Sequence, residues 1–162
     1  LDTGELVFTG YLNFFIYANA YYWGKKPIHE FLSTIDDDVA LGYKIGMALS
    51  YNSLTGLKLN LSYLSGSKGK KSGASFDIKG LKESTYLEGC AAISDVYSST
   101  VYHVYKAYSL CLTGENKKAL ATCKTVLPAM GVISGMVQAD GDEFAHMADG
   151  ATHARLALDE RQ

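Results

Sequence analysis

The chain has 162 residues, 48% of them hydrophobic and 20% charged, which suits one globular domain over 1–162 and argues against a polytopic membrane protein. Lys and Arg together number 15 against 17 Asp and Glu, for a net charge of -2, and only Arg155 and Arg161 are arginines. That balance speaks against a nucleic-acid binder, which concentrates basic charge on one face and favours Arg for phosphate and base contacts.

Residues 6–23 carry no charge, then Gly24 and Pro27 follow. A glycine suits the position after a helix and a proline the start of the next, so the punctuation predicts a helix over about 3–23. Thr9, Asn13 and Asn19 interrupt the run, which favours a buried core segment over a membrane span. The first residue is Leu1 rather than Met, as in a processed product, so export is compatible with the sequence and the compartment stays open.

From 27 to 51, Ile28, Phe31, Leu32, Ile35, Val39, Gly42, Tyr43, Gly46 and Met47 recur at the spacing of one helix face. Gly42 and Gly46 on that face would let another element approach closely, or leave a cavity for an apolar ligand. Asp36, Asp37 and Asp38 cannot converge on one ion from a helix, because successive side chains point about 100° apart. Both 6–22 and 39–51 also alternate in polarity. This keeps an α+β alternative open, with a β-rich N-terminal half and a helical C-terminal half.

Leu57, Leu59, Leu61 and Tyr63 alternate with Lys58, Asn60 and Ser62, and Phe76 and Ile78 alternate with Asp77 and Lys79. This pattern predicts a β-hairpin over 57–79 with a mobile Gly/Ser/Lys tip at 65–73. Lys68, Lys70 and Lys71 in the tip are candidate partner-binding residues, although the tract lacks the frame of a phosphate loop. Asn60-Leu61-Ser62 fits an N-glycosylation sequon.

Leu87, Cys90, Tyr97, Val101, Tyr105 and Tyr108 belong to an apolar stripe that predicts one long helix over 81–112, with His103 on its edge. Gly114 then stops it, and a further helix follows over 117–127. Residues 114–127 carry Gly114, Lys117, Lys118, Ala119, Leu120 and Leu127 in places similar to the turn and second helix of a tetratricopeptide repeat. That resemblance covers about 14 residues without recurring, and implies an antiparallel helical hairpin. Cys111 and Cys123 could meet across it. Cys90 is left over, and all three suit small buried apolar positions.

Residues 128–137 read as a short apolar segment, and Asp140 and Asp142 suit the start of a last helix ending near 158. In that helix Asp142, His146, Asp149 and His153 share a stripe, and Glu143 pairs with His146 at Glu-x-x-His spacing. Imidazoles and carboxylates so spaced can hold a divalent metal, with His29, Glu30, Asp36 or His103 as a ligand from elsewhere.

The sequence-based expectation is therefore a mainly α single-domain bundle of about five helices with an inserted β-hairpin. No nucleophile elbow, zincin or dinucleotide motif is present. With 12 Tyr and 6 Phe, the first functional expectation is a non-catalytic protein that binds another protein through an aromatic surface or the basic tip. The alternatives are a metal- or small-ligand-binding protein using Glu143, His146, Asp149 and His153, open to catalysis, and an apolar-ligand carrier. The charge is uneven along the chain. Lysines crowd 58–82, and the acids Asp140, Asp142, Glu143, Asp149, Asp159 and Glu160 crowd the end.

Overall fold

The computed structural model describes residues 3–22, 24, 26–66 and 75–138. Helix α1 (Thr3–Tyr22) ends where the sequence predicts, and Gly24 takes a φ of 59°, a conformation that costs glycine nothing. Helix α2 (Ile28–Lys44) begins after Pro27 at its N-cap and buries Phe31, Ile35 and Gly42. It stops short of the predicted end. Gly46 at φ 71° turns the chain, with Met47 N–H bonded to Gly42 C=O at 2.9 Å. Gly46 is thus an exposed turn residue rather than a packing one. Gly42 does admit a close approach: a Cβ there would sit 3.1 Å from Tyr51 N, so the neighbouring helix fills the space a ligand cavity would need.

Helix α3 (Ala48–Gly66) overturns the β-hairpin expected at 57–79, and with it the β-rich N-terminal half. The described residues contain no strand, only an isolated bridge between Ile78 and Leu81. The alternation at 57–63 is the sum of two helical stripes. Leu54, Leu57 and Leu61 enter one core cluster with Phe14, Phe31 and Ile35, while Leu59 and Tyr63 enter a second with Phe76, Tyr86 and Tyr102. A helix buried on two sides loses the polar face that makes a period of 3.6 visible, and imitates a strand.

Residues 75–82 lead into helix α4 (Glu83–Ala92) through a tight turn at Gly80. Phe76 anchors this stretch, stacked on Tyr63 at a centroid distance of 4.1 Å with the Lys106 ammonium 4.7 Å from its ring centroid. The Asp77 carboxylate accepts Glu83 N–H at 2.9 Å at the start of the helix.

The long helix expected over 81–112 is two. Ser94 adopts φ 56°, and Asp95 caps helix α5 (Val96–Leu112) by accepting Ser98 N–H at 2.9 Å. The other Asp95 oxygen accepts Asn52 Nδ2–H at 2.9 Å, which pins the break to α3. After Gly114 (φ 78°), helix α6 (Asn116–Gln138) returns along α5, the hairpin that the repeat-like residues imply. It runs through Pro128, so 128–137 is no separate segment. The described residues thus form six helices rather than about five, and none is long and apolar enough to cross a membrane.

Helix α3 is the hub, packing on α1, α2, α4 and α5. Its seam with α5 is polar and close. Ser53 and Ser98 hydroxyls lie 3.1 Å apart, Ser109 Oγ donates to Asn60 Oδ1 at 3.3 Å, and the Tyr21 hydroxyl lies 2.8 Å from Ser109 Oγ. Asn60 is fully buried and donates to Gly56 C=O at 2.9 Å, so the sequon at 60–62 is closed in the fold. At Gly56 a Cβ would fall 2.6 Å from the Tyr86 hydroxyl, which donates to the Asn52 carbonyl at 3.0 Å.

Gly56→Ala displaces Tyr86 and should lower the unfolding free energy by about 1–3 kcal/mol in urea titration. Gly89→Ala on the open side of α4, where nothing lies within 4 Å, should raise it by about 0.5–1 kcal/mol. Equal effects would contradict the seam. The fully buried Tyr105 hydroxyl meets no hydrogen-bond partner among the described residues. Tyr105→Phe should therefore hold or raise the melting temperature, whereas Tyr21→Phe should lose about 1 kcal/mol.

Candidate functional site

The cleft between α1 and α2 combines open apolar surface with a fixed polar floor, and encloses about 490 Å³. One wall comes from α1. Asn13, Ile16, Tyr17 and Ala20 lie at i, i+3, i+4 and i+7 and share a face. The opposite wall comes from Glu30, Phe31, Thr34 and Asp38 of α2, with Lys26 at one end.

The floor is a hydrogen-bonded set around one carboxylate. Asp38 Oδ1 accepts Asn13 Nδ2–H at 2.8 Å, and Oδ2 accepts the Tyr17 hydroxyl at 2.6 Å. With the Tyr17 proton committed, the Thr34 hydroxyl donates to the Tyr17 oxygen, again at 2.6 Å. Below this set Phe31 packs against the Tyr17 ring at 5.8 Å, over the fully buried Ile35. Burial, and then the Asp38 carboxylate, push the Tyr17 phenol up to about 12. Asp38 lies half-buried at the edge of solvent with both of its oxygens held in place. The rim is aliphatic: Ile16 is 59% exposed and Leu12, one turn earlier, 43%. Leu12 and Ile16 thus leave apolar surface open to solvent on one face of α1 beside the cleft.

Among the other residues singled out in the sequence, Glu143, His146, Asp149 and His153 lie outside the described residues, as do Lys68, Lys70 and Lys71. Of the four proposed outside ligands, Glu30 lines the cleft, Asp36 pairs with Lys58, and His103 donates Nδ1–H to Ser99 C=O at 2.6 Å. His29 sits in the first turn of α2. No three metal-ligating side chains converge among the described residues. The acidic triplet diverges as helical geometry requires: Asp36 reaches α3, Asp38 reaches α1, and Asp37 is exposed.

Cys90, Cys111 and Cys123 are free thiols, and burial raises the pKa of each, which favours the unreactive protonated form. The aromatic side chains are mostly core material. Among those whose side chains are described, only Tyr43 is exposed, so the described aromatic residues do not by themselves form an aromatic surface.

The residues that build the cleft floor were individually visible in the sequence but not as a set. Asn13 registered as a break in an apolar run and Asp38 as one of three acids. Their meeting joins positions 25 apart, and no local pattern encodes it. The chain matches no protein-family profile, no curated protein and no solved structure.

Tyr17 ties the cleft to alkaline stability. Its phenol ionises near 10 when unfolded and about 12 when folded, so its contribution is complete below 10 and is lost as pH rises between those values. Tyr17→Phe should cost about 1 kcal/mol at neutral pH and flatten the fall in stability above pH 10, read by urea unfolding across that range. An unchanged alkaline slope would contradict the burial of the Tyr17 phenol beside Asp38.

Proposed function

We propose that the protein is a non-catalytic binding module that takes a segment of another protein chain into the α1/α2 cleft. The observation that carries this reading is the pairing of an open aliphatic rim, Leu12 and Ile16, with a carboxylate fixed at the cleft floor by Asn13 and Tyr17. A floor ordered before binding lowers the entropy cost of association. An exposed Ile beside a cavity of this size offers a hydrophobic anchor, which the wall acids can supplement with charge recognition.

The charge of the wall favours one chemistry in the partner segment. Of the acids on α2, Glu30 and Asp38 line the cleft and Asp37 is exposed beside them, whereas Asp36 pairs with Lys58, and Lys26 stands at the cleft end. A segment that presents aliphatic residues beside Lys or Arg complements both walls, whereas an acidic segment meets like charge.

Random-peptide display on the immobilised chain tests this reading. Convergent peptides with an aliphatic residue next to Lys or Arg are expected, and Ile16→Asp should weaken them about tenfold or more. No convergent selection, or peptides that bind Ile16→Asp equally well, would refute it.

A further inference from the structure

The chain itself contains a surface of the chemistry that the cleft requires. Helix α6 bears Lys117, Lys118 and Lys124 and no acidic residue over its whole length. Lys118 is paired with Glu115, whereas Lys117 and Lys124 enter no ion pair among the described residues. Leu120 is 48% exposed and Leu127 56%. At about 100° per residue, Lys117, Leu120, Lys124 and Leu127 fall within an arc of about 80°. They form one stripe of alternating lysine and leucine, facing away from the α5 side where Ala119 and Val126 are buried.

The spacing matches as well as the sign. Lys117 and Lys124 are seven residues apart, about 10.5 Å along the helix. Glu30 and Asp37, both exposed on α2, have the same separation, and neither enters an ion pair among the described residues. Helix α6 packs chiefly on α5, whereas α1 and α2 pack on α3, so the stripe and the cleft belong to different parts of the fold.

We infer that the α6 stripe of one copy docks in the α1/α2 cleft of a second copy, with Leu120 and Leu127 against Leu12 and Ile16 and with Lys117 and Lys124 facing Glu30 and Asp37. The inference rests on the reading of the cleft as a protein-binding site and names its occupant. The contact joins two different surfaces, so each copy keeps one cleft and one stripe open, and association proceeds head to tail until a ring closes.

Sedimentation velocity of the full chain over a range of concentrations tests this. The average mass should rise with concentration and fall with added salt. Asp37→Lys and Lys124→Glu should each weaken association about tenfold or more, and Leu127→Asp should do likewise. The two charge-reversed chains should associate again when mixed, because each cleft then meets an α6 of opposite sign. All three substituted positions are exposed, and Lys124→Gln, with unchanged circular dichroism, serves as the milder check on α6. A chain that stays monomeric at every concentration, or charge reversals that leave association unchanged, or a mixture that does not recover, would overturn the inference. A monomeric chain that still selects basic, aliphatic peptides would remove α6 as the occupant and leave the cleft reading standing. A monomeric chain that selects none would remove both.

Discussion

The approach of α3 to α5 at Gly56 is the contact on which the rest of the molecule depends. There is no room for a side chain at that position, because the Tyr86 hydroxyl and the Tyr102 Cβ occupy the space where a Cβ would go. Close approach brings Ser53 within reach of Ser98 and Asn60 within reach of Ser109, so these buried polar groups find partners between helices. Two apolar clusters then form on either side of one helix. Leu54, Leu57 and Leu61 serve the cluster with α1 and α2, and Leu59 and Tyr63 serve the cluster with Phe76 and α5. Both cores share a backbone, so loosening one strains the other.

This arrangement sets the character of the remaining surfaces. With α3 and α5 largely consumed by packing, solvent is met mainly by α1 with α2, by α6 and by the open side of α4. The first pair offers an acidic cleft with an aliphatic rim, and α6 offers a basic stripe with two open leucines. The near-zero net charge of the chain conceals this opposition. Specific contact between proteins relies on such local complementarity, since charge sets partner choice and register while a few apolar anchors supply much of the affinity.

The parts of this architecture that could be read from the sequence are those with local causes. Gly24 and Gly114 mark helix ends because each adopts a positive φ, and the stripe through Phe31, Ile35 and Gly42 is legible because the opposite face of α2 is solvated. Gly42 also signals close approach correctly. The misreadings have long-range causes. Helix α3 is buried on two sides and so lacks the polar face that would reveal its period. The break at Ser94 is held by Asn52, more than 40 residues away, through Asp95. The cleft floor likewise needs Asn13, Tyr17 and Asp38 from two helices, and the identity of each residue alone is compatible with ordinary helix surface.

Native-state amide hydrogen exchange across residues 54–63 is the most direct measurement of the constraint at the centre of the fold. A helix shared by two cores opens only when the whole domain unfolds, so these amides should exchange slowest, together with those of α5 around Tyr102 and Tyr105. Exchange at 54–63 as fast as in the exposed turns of α2 or α6, or the slow alternating pattern of a half-buried edge strand, would contradict it.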